Sequence, residues 1–465
     1  MKKKKKTLDS LKPINLNAAG IDIGADSHWV SVPQDRDEQN VQEFRCYTPD
    51  LYALADWLAQ CEMETVVMES TGVYWIPVFQ ILETRGFEVL LVNSHHVKLA
   101  RSLAPFVGAG SLVKTVPGRK SDVLDCQWLQ QLHSYGLLAG SFRPQDEICI
   151  RRSYIRHRDN LIRSAGTHVQ RMQKALTQMN LQLHRVISDI TGKTGLKIIQ
   201  AILAGERNPE TLASLKDGRI RRTTEEIAAA LMGDYRFEHL FVLRQELQLY
   251  ETYQQQIVQC DEEIEAYLTN LNSQIEGEEI TSGKKPPKKK KCCGNEPAFD
   301  LRSHLHRISG VDFTRIDGLG VLTVQTILSE VGLDPSRFLT VKHFTSWLGL
   351  CPGSRVSGGK IKSSQTRHVV NRAANAFRLA ANALSRSQSA NGAFFRRLRA
   401  RLGSPKAITA TAHKLARIFY CLWRGGGEYH DPEVDVYEQQ YQQRVLKNLR
   451  RKADQLGFEL VPLPD

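Results

Sequence analysis

The sequence predicts an α/β domain, followed by a helical middle region and a mainly α-helical C-terminal domain. Short apolar runs alternate with helix-like segments from about residue 17 to 140, a seven-residue apolar repeat starts near residue 146, and Arg-rich helical segments follow residue 301. Alternating strands and helices are typical of an α/β fold, here with a mixed sheet. A sustained heptad is typical of a coiled coil or a long bundle helix.

Six segments are predicted in order along the chain. They are a basic arm (1–15), the α/β domain (16–145), a helical coiled-coil domain (146–275), a lysine-rich linker (276–300), a C-terminal domain (301–430), and a terminal helix with its tail (431–465). Gly, Pro and a lysine block in the linker exclude a packed core there.

The α/β domain begins with two β-rich runs joined by a short turn, AAGIDIG and HWVSVP, which predict a hairpin. EFRCY predicts a third strand, and the apolar runs TVVMES and EVLLVN predict two buried strands. LYALADWLAQC and VYWIPVFQILETRG have helical spacing, and the second of these helices is expected to stop at Gly86.

The middle region is predicted to contain two long helices. Apolar residues recur at every seventh position from Ile148 to Ile190, and a second helix is expected at about 236–272. Gln254 and Asp261 interrupt the apolar seam of the second helix, where they either fix the register or mark a solvated stretch. The two helices form either a hairpin within one chain or a contact between copies of the chain.

The composition favours a polyanionic partner. The 465 residues include 63 Lys and Arg against 50 Asp and Glu, a formal net charge of +13, so nucleic acid is the first candidate. The nine Cys residues contain no CxxC pair, which predicts free thiols in a reducing cytosol. No apolar run of about 18 residues is present, so we expect neither a membrane span nor a secretory signal.

Four acidic residues lie at the ends of predicted elements in the α/β domain. Asp22 is in the first strand, Glu69 ends TVVMES, and Asp122 and Asp125 are three residues apart on one helix face. Oxygen ligands of this kind suit Mg²⁺ or Mn²⁺, and paired ions can promote phosphoryl transfer. Each carboxylate alone also fits a turn, a strand end or a helix N-terminus, but the set forms a candidate metal site.

A Gly-rich segment in the C-terminal domain, PGSRVSGGKIKSS, predicts a loop. Its small residues let the backbone approach a phosphate, and its positive charges come from Arg355, Lys360 and Lys362. A serine hydroxyl needs activation to act as a nucleophile. The pattern alone does not separate the candidates, which are Ser354, Ser357, Ser363 and Ser364.

Residues 316–332, IDGLGVLTVQTILSEVG, predict a helix–hairpin–helix. Gly318 and Gly320 would form a tight turn whose amides meet a DNA phosphate, or only the turn of a plain helical hairpin. Arg367 and Arg372 belong to the basic helical region that follows, and such residues bind phosphate without reading sequence.

Several segments resemble a known family. GIDIGADSHWVSV, MESTGVYWIPVFQIL, VNSHHVKLARS and GRKSDVLDCQWLQQL resemble the RuvC-like domain of DEDD-type insertion-sequence transposases. IDGLGVLTVQTILSEVG and FTSWLGLCPGSRVSGGKIKSSQTRHVVNRAANAFRLAA resemble that family's C-terminal transposase domain. The resemblance covers about residues 17–425, in the family's order.

The resemblance implies a ribonuclease-H-like fold and specific site residues. Asp22, Glu69, Asp122 and Asp125 would be the metal-binding DEDD quartet, and Ser357 would attack DNA and become covalently linked to it. Further nucleic-acid contacts are expected from a matching segment and from the cations before the acidic pair, which are Asn93, His95, Lys98, Arg119 and Lys120.

The resemblance also implies a transposase or recombinase of a bacterial insertion sequence. Its expected partners are donor and target DNA, a structured guide called a bridge RNA, and further copies of the chain in a dimer or tetramer. Its expected location is the bacterial cytoplasm, at the nucleoid. Two alternatives stay open: a metal-dependent DNA junction-resolving nuclease without a covalent intermediate, and a non-enzymatic nucleic-acid-binding scaffold.

Overall fold

The structure is a computed structural model. It describes residues 13–70, 72–93, 97, 121–141, 143, 146–272, 295–367, 369–431 and 434–461. Most of the predicted basic arm and of the predicted linker lies outside the described residues. The chain divides into two compact units, an N-terminal unit (Met1–Arg143) and a C-terminal unit (Pro144–Asp465). The finer division of the C-terminal unit into domains remains a prediction.

The N-terminal unit contains a five-stranded mixed sheet. Its strands are β1 (Ala18–Ile23), β2 (Ser27–Ser31), β3 (Val41–Arg45), β4 (Thr65–Glu69) and β5 (Glu88–Val92). They are arranged in the order β3-β2-β1-β4-β5. β1, β2 and β3 are antiparallel neighbours, whereas β1, β4 and β5 run parallel. The predicted mixed α/β sheet is confirmed, and β3 begins two residues before the predicted EFRCY segment.

Helices cover both faces of this sheet. They are α1 (Thr48–Gln60), α2 (Trp75–Thr84) and α3 (Asp122–Ser134). Side chains of α1 and α2 pack with Val66 and Met68 of β4, whereas Trp128 and Leu129 of α3 pack with Val67. Successive residues of a strand point to opposite faces, so β4 contributes to both cores. A strand that is buried on both faces has mostly apolar residues in succession, which explains the apolar run TVVMES in the sequence.

The C-terminal unit begins with a long helical hairpin of α4 (Asp146–Gln178) and α9 (Phe237–Asn270). Four short helices lie between them: α5 (Leu183–Val186), α6 (Lys193–Leu203), α7 (Pro209–Ser214) and α8 (Thr224–Ala230). The apolar repeat continues to Ile190, but α4 ends at Gln178, so the prediction of one helix through Ile190 is wrong. Asn180 has a φ of +57°, a left-handed conformation that ends helices.

A buried ion pair fixes the register of the hairpin. Arg158 of α4 and Asp261 of α9 are only 3% and 9% exposed, and Arg158 Nη2 donates to Asp261 Oδ2 over 3.1 Å. Gln254 is exposed, so the two interruptions of the seam have different roles. Along α4, Arg158 meets Asp261 and His168 meets Glu246, which shows that the helices are antiparallel within one chain.

The rest of the C-terminal unit contains an aromatic core. Phe313 stacks on Phe419 with ring centroids 4.1 Å apart, and Phe344 and Phe377 complete the cluster. The elements of this part are α10 (Leu301–Ser309), α11 (Val321–Val331), α12 (Val341–Trp347), β6 (Arg355–Ser357), β7 (Lys360–Ser363), α13 (Arg372–Ala383), α14 (Ala390–Leu402), α15 (Ser404–Gly425) and α16 (Val434–Gln455).

None of the helices that the structure describes is long and apolar enough to cross a membrane. The cysteines in the described part of the chain are free thiols, as predicted.

Replacing Asp261 with Ala is expected to lower the free energy of unfolding by about 3 kcal/mol, because Arg158 would keep a buried charge without its partner. The control Gln254→Ala removes an exposed side chain of the same helix and is expected to change it by less than about 0.5 kcal/mol. Urea denaturation of both variants, followed by circular dichroism, measures the difference. Equal effects of the two substitutions would contradict the role of the ion pair.

Candidate active site

The position of α3 on the sheet depends on Gly20 in β1. A Cβ atom at this residue would lie 2.3 Å from the Gln130 backbone nitrogen and 2.5 Å from the Cys126 carbonyl oxygen. These are backbone atoms of α3, so they cannot move aside as the end of a flexible side chain can. A glycine in a strand allows another backbone to approach this closely. The contact therefore fixes where α3 crosses β1.

Asp22 and Glu69 lie on the face of the sheet that α3 covers. Gly20 pairs with Val67 in the parallel ladder of β1 and β4, and Ile21 pairs with Met68. Alternation then puts Asp22 on the same face as Gly20, and Glu69 on the same face as Val67. Both carboxylates are partly buried and lie near the carboxyl ends of their strands.

Asp122 and Asp125 lie in the first turn of α3. Ser121 is the N-cap, and its side chain accepts a hydrogen bond from the Leu124 backbone N–H over 3.3 Å. Asp122 is exposed and Asp125 is partly buried. Carboxylates in a first helical turn are stabilised by the helix dipole, so the local sequence favours a helix start here. Asp122 and Asp125 therefore lie three residues apart on one face of a helix, as predicted.

The buried thiol of Cys126 lies near two of these carboxylates. Its thiol is fully buried, and it donates a hydrogen bond to the Val123 carbonyl over 3.1 Å. The pKa of Cys126 is raised to about 12, mainly by burial and also by the negative charges of Asp22 and Asp125. Both carboxylates are therefore close enough to act on one thiol, although they come from β1 and α3.

The four acidic residues do not by themselves form a metal cage. Among the described residues, no group of three or more His, Cys, Asp or Glu side chains is arranged to hold a metal ion. Mg²⁺ is commonly bound through only one or two carboxylates together with water and substrate phosphates. The oxygen donors of Asp22 and Asp125, with Glu69 on the adjacent strand, fit an ion of this type.

The other predicted contacts of the N-terminal unit are mostly not described. Asn93 follows β5, is exposed, and its carbonyl accepts a hydrogen bond from the Val97 N–H over 3.2 Å. The remaining predicted residues lie outside the described residues: His95, Lys98, Arg119 and Lys120. Their roles stay predictions.

Ser357 lies at the tip of a β-hairpin, so the predicted loop is wrong. β6 and β7 pair antiparallel, with Ser357 opposite Lys360 and Val356 opposite Ile361. Gly358 and Gly359 connect them with φ values of +57° and +73°. A two-residue turn with both φ values positive matches the twist of the strands and is most easily formed by glycine.

The predicted phosphate-binding residues around this hairpin differ in their contacts. Lys360 and Lys362 are exposed, and the backbone of Arg355 lies in β6. Arg367 Nη2 donates to the Ser346 carbonyl over 2.6 Å, and Arg372 lies 3.6 Å from Asp159. The side chains of Arg367 and Arg372 thus have protein partners that would compete with a phosphate.

The two glycines of the predicted helix–hairpin–helix have different surroundings. Gly318 has a φ of +89°, and a Cβ atom there would lie 2.8 Å from the Ala380 carbonyl oxygen of α13. Its requirement for glycine is therefore explained by turn conformation and packing. Gly320 is the N-cap of α11 and has open space beside it. A phosphate that approached this turn would therefore contact Gly320 and the N-terminus of α11.

The sequence prediction recognised basic residues around the hairpin but not the absence of acidic ones. No Asp or Glu occurs from residue 335 to 427, whereas this segment contains 17 Lys and Arg residues. Its positive charge exceeds the net charge of the whole chain, which is +13. Separate counts of acidic and basic residues by segment would have revealed this imbalance, and the segment includes Ser357. Such a segment favours binding to polyanions.

The sheet order, with acidic residues on β1, β4 and α3, is consistent with a ribonuclease-H-like DEDD domain, a type found in enzymes that process nucleic acids. Two family models match the chain. A DEDD transposase model of the IS110 type matches residues 19–181, and a model described as "Transposase IS116/IS110/IS902 family" matches residues 312–396. Together they support an IS110-type transposase, and hence a DNA-processing enzyme.

The two matches contain the predicted catalytic residues. The first includes the acidic residues of β1, β4 and α3, and the second includes Gly318, Gly320 and Ser357. DEDD transposases typically use a divalent metal ion. No curated protein matched the chain in a sequence search.

Replacing Gly20 with Ala is expected to displace α3 from β1, because the new Cβ atom would overlap two backbone atoms. Iodoacetamide labelling, read peptide by peptide by mass spectrometry, measures this as increased labelling of Cys126. Cys61, buried in the core on the other face of the sheet, should stay protected and serves as the internal control. The variant Gly166→Ala, with open space at its site in α4, should label like the wild type. If Cys126 stayed protected in Gly20→Ala, the proposed close contact would be refuted.

Proposed function

We propose that the chain is the transposase of a bacterial insertion sequence, and that it cleaves and exchanges DNA strands with Ser357 as nucleophile and the DEDD residues as a metal site. One observation carries the proposal. Asp22 at the end of β1 and Glu69 at the end of β4 lie on the sheet face that α3 covers, and α3 begins with two further acidic residues. This arrangement occurs in a chain of which residues 19–181 and 312–396 match transposase models.

The metal site consists of Asp22, Glu69, Asp122 and Asp125. Mg²⁺ or Mn²⁺ bound there would supply Lewis-acid stabilisation of charge on a DNA phosphate. The carboxylates carry negative charge that would otherwise repel the DNA backbone, so they favour binding of a divalent cation together with DNA. Placement of Asp22 and Glu69 on strands, and of Asp125 in a capped helical turn, holds the donors on rigid elements.

Ser357 is proposed to form a covalent link with DNA. Its oxygen forms a bond to phosphorus while the bond from phosphorus to a sugar oxygen breaks, and the serine proton ends on the released sugar hydroxyl. Attack by a second strand's hydroxyl reverses this exchange and frees the serine. Ser357 is exposed beside the Gly358–Gly359 turn, and the surrounding segment has no acidic residue to repel DNA.

The proposed partners are donor and target DNA, a structured bridge RNA, and further copies of the chain in a dimer or tetramer. The basic segment 335–427 supports binding of phosphate backbones. Proposed contacts in this region are Gly320, Arg355, Lys360, Lys362, Arg367 and Arg372. The junction-resolving nuclease is not favoured, since a second transposase model matches the region that contains Ser357.

Ser357→Ala is expected to abolish the covalent protein–DNA adduct, because alanine has no oxygen to bond to phosphorus. Incubation with end-labelled element DNA and Mg²⁺, followed by a denaturing gel, measures the adduct. The control Ser354→Ala removes an exposed hydroxyl three residues away and should retain adduct formation.

Two outcomes would count against this assignment. An adduct that persists in Ser357→Ala would exclude this serine as the nucleophile. Hydrolysed DNA ends without any adduct in the wild type, with equal cleavage by Ser357→Ala, would instead establish the nuclease alternative.

The purified protein is expected to retain one discrete structured RNA encoded beside its own gene, because the proposed reaction is guided by RNA. Sequencing of RNA and DNA that copurify with the chain at moderate salt measures this. A mixture of unrelated cellular fragments, without enrichment of an adjacent transcript, would exclude a dedicated guide.

A further inference from the structure

The hairpin of β6 and β7 has two chemically different faces. Ser357 and Lys360 are paired across the strands, so their side chains leave the same face. Val356 and Ile361 are the next pair, so they occupy the opposite face, where they are 61% and 67% exposed. The hairpin therefore presents a hydroxyl and an ammonium group together, separated from its apolar pair.

The turn holds the Ser357–Lys360 pair in register. Gly358 and Gly359 are both in the left-handed region, which fixes a two-residue connection between the strands. A shift by one residue would move Ser357 to the other face and break this pairing. Side chains directly opposite each other have Cβ atoms about 4.5–5.5 Å apart, so the Lys360 ammonium can reach a group bonded to the Ser357 oxygen.

Charge around Lys360 favours an external anion. Lys360 is exposed and forms no ion pair among the residues that the structure describes. The sequence around it contains no Asp or Glu from residue 335 to 427. Arg367 and Arg372, by contrast, already contact Ser346 and Asp159. Lys362 lies two residues further from the turn, beside a register irregularity between Arg355 and Val356.

We infer that Lys360 contacts the same DNA phosphate that Ser357 attacks, and that its ammonium group stabilises the negative charge that develops on that phosphate during strand cleavage. The inference rests on the proposed role of Ser357. It assigns Lys360 a part in the chemical step, in addition to general attraction of DNA. Preorganised cations aimed at developing charge are among the largest contributions to catalysis.

The test compares Lys360→Gln with Lys362→Gln in single-turnover formation of the protein–DNA adduct. Lys360→Gln is expected to slow adduct formation at saturating DNA by about 100-fold, with the DNA Kd raised no more than about 3-fold. Lys362→Gln should mainly raise the Kd and should slow the saturated rate by much less. Lys360→Arg, which keeps the positive charge, should recover most of the rate.

A neutral substrate separates contact with the phosphate from a structural effect. Replacing the scissile phosphate by a methylphosphonate removes its charge, so Lys360→Gln and the wild type should then differ by less than about 3-fold. A full loss on the neutral substrate, or equal slowing by Lys362→Gln on normal DNA, would overturn the inference.

The same assay includes Ser357→Ala, which separates the two proposals. An adduct that survives this substitution rejects the nucleophile and, with it, the inference about Lys360. An adduct that requires Ser357 but is insensitive to Lys360 rejects only the role of Lys360.

Discussion

The close contact between α3 and Gly20 is the constraint on which the candidate active site depends. The helix backbone lies so near β1 that even a methyl group would overlap it. That contact determines which turn of α3 faces the carboxyl end of β1. Asp22 lies two residues beyond Gly20, and Asp125 precedes Cys126, whose carbonyl touches Gly20. The contact therefore places the acidic first turn of α3 toward the carboxyl end of β1, the strand that contains Asp22.

The parallel ladder extends this arrangement to β4. Register and alternation place Glu69 on the α3 face, next to Asp22, while the apolar neighbours of both residues fill the two cores. The acidic residues thus occupy the margin of well-packed elements. Such a margin combines rigid support with access for a large substrate, which is what a site acting on DNA needs. The raised pKa of the buried Cys126 thiol keeps that side chain protonated and inert beside the site.

Local sequence patterns predicted much of this fold. The five strands of the N-terminal unit, its two helices before residue 90 and the second long helix were recognisable from apolar periodicity. Asp261 was ambiguous, because its partner Arg158 lies 103 positions away and no local pattern links them. The apolar repeat beyond Gln178 made the prediction for α4 too long, since Leu183 of the next short helix and Ile190 of a turn continued in phase. The pair Gly358–Gly359 is typical of the turn of a β-hairpin, but the segment that contains β6 and β7 was interpreted as a loop.

The candidate site was less predictable for a physical reason. Sequence spacing could put Asp122 and Asp125 on one helix face, but the position of that helix relative to Asp22 depends on a backbone contact between distant segments. Gly20 carries no side chain whose chemistry would reveal that contact. The choice of Ser357 likewise came from family resemblance, since four serines shared similar local surroundings. Pairing with Lys360 became visible only once the strand register was known.

Iron-mediated cleavage of the polypeptide tests the central claim most directly. Fe²⁺ replaces Mg²⁺ in the complex of the full chain with DNA, and ascorbate and peroxide then generate radicals that cut the backbone near the bound ion. Our account predicts cuts close to residues 22, 69 and 122–125, and their loss in Asp125→Asn. Cuts confined to other segments, or an unchanged pattern in Asp125→Asn, would show that these carboxylates do not share a metal ion.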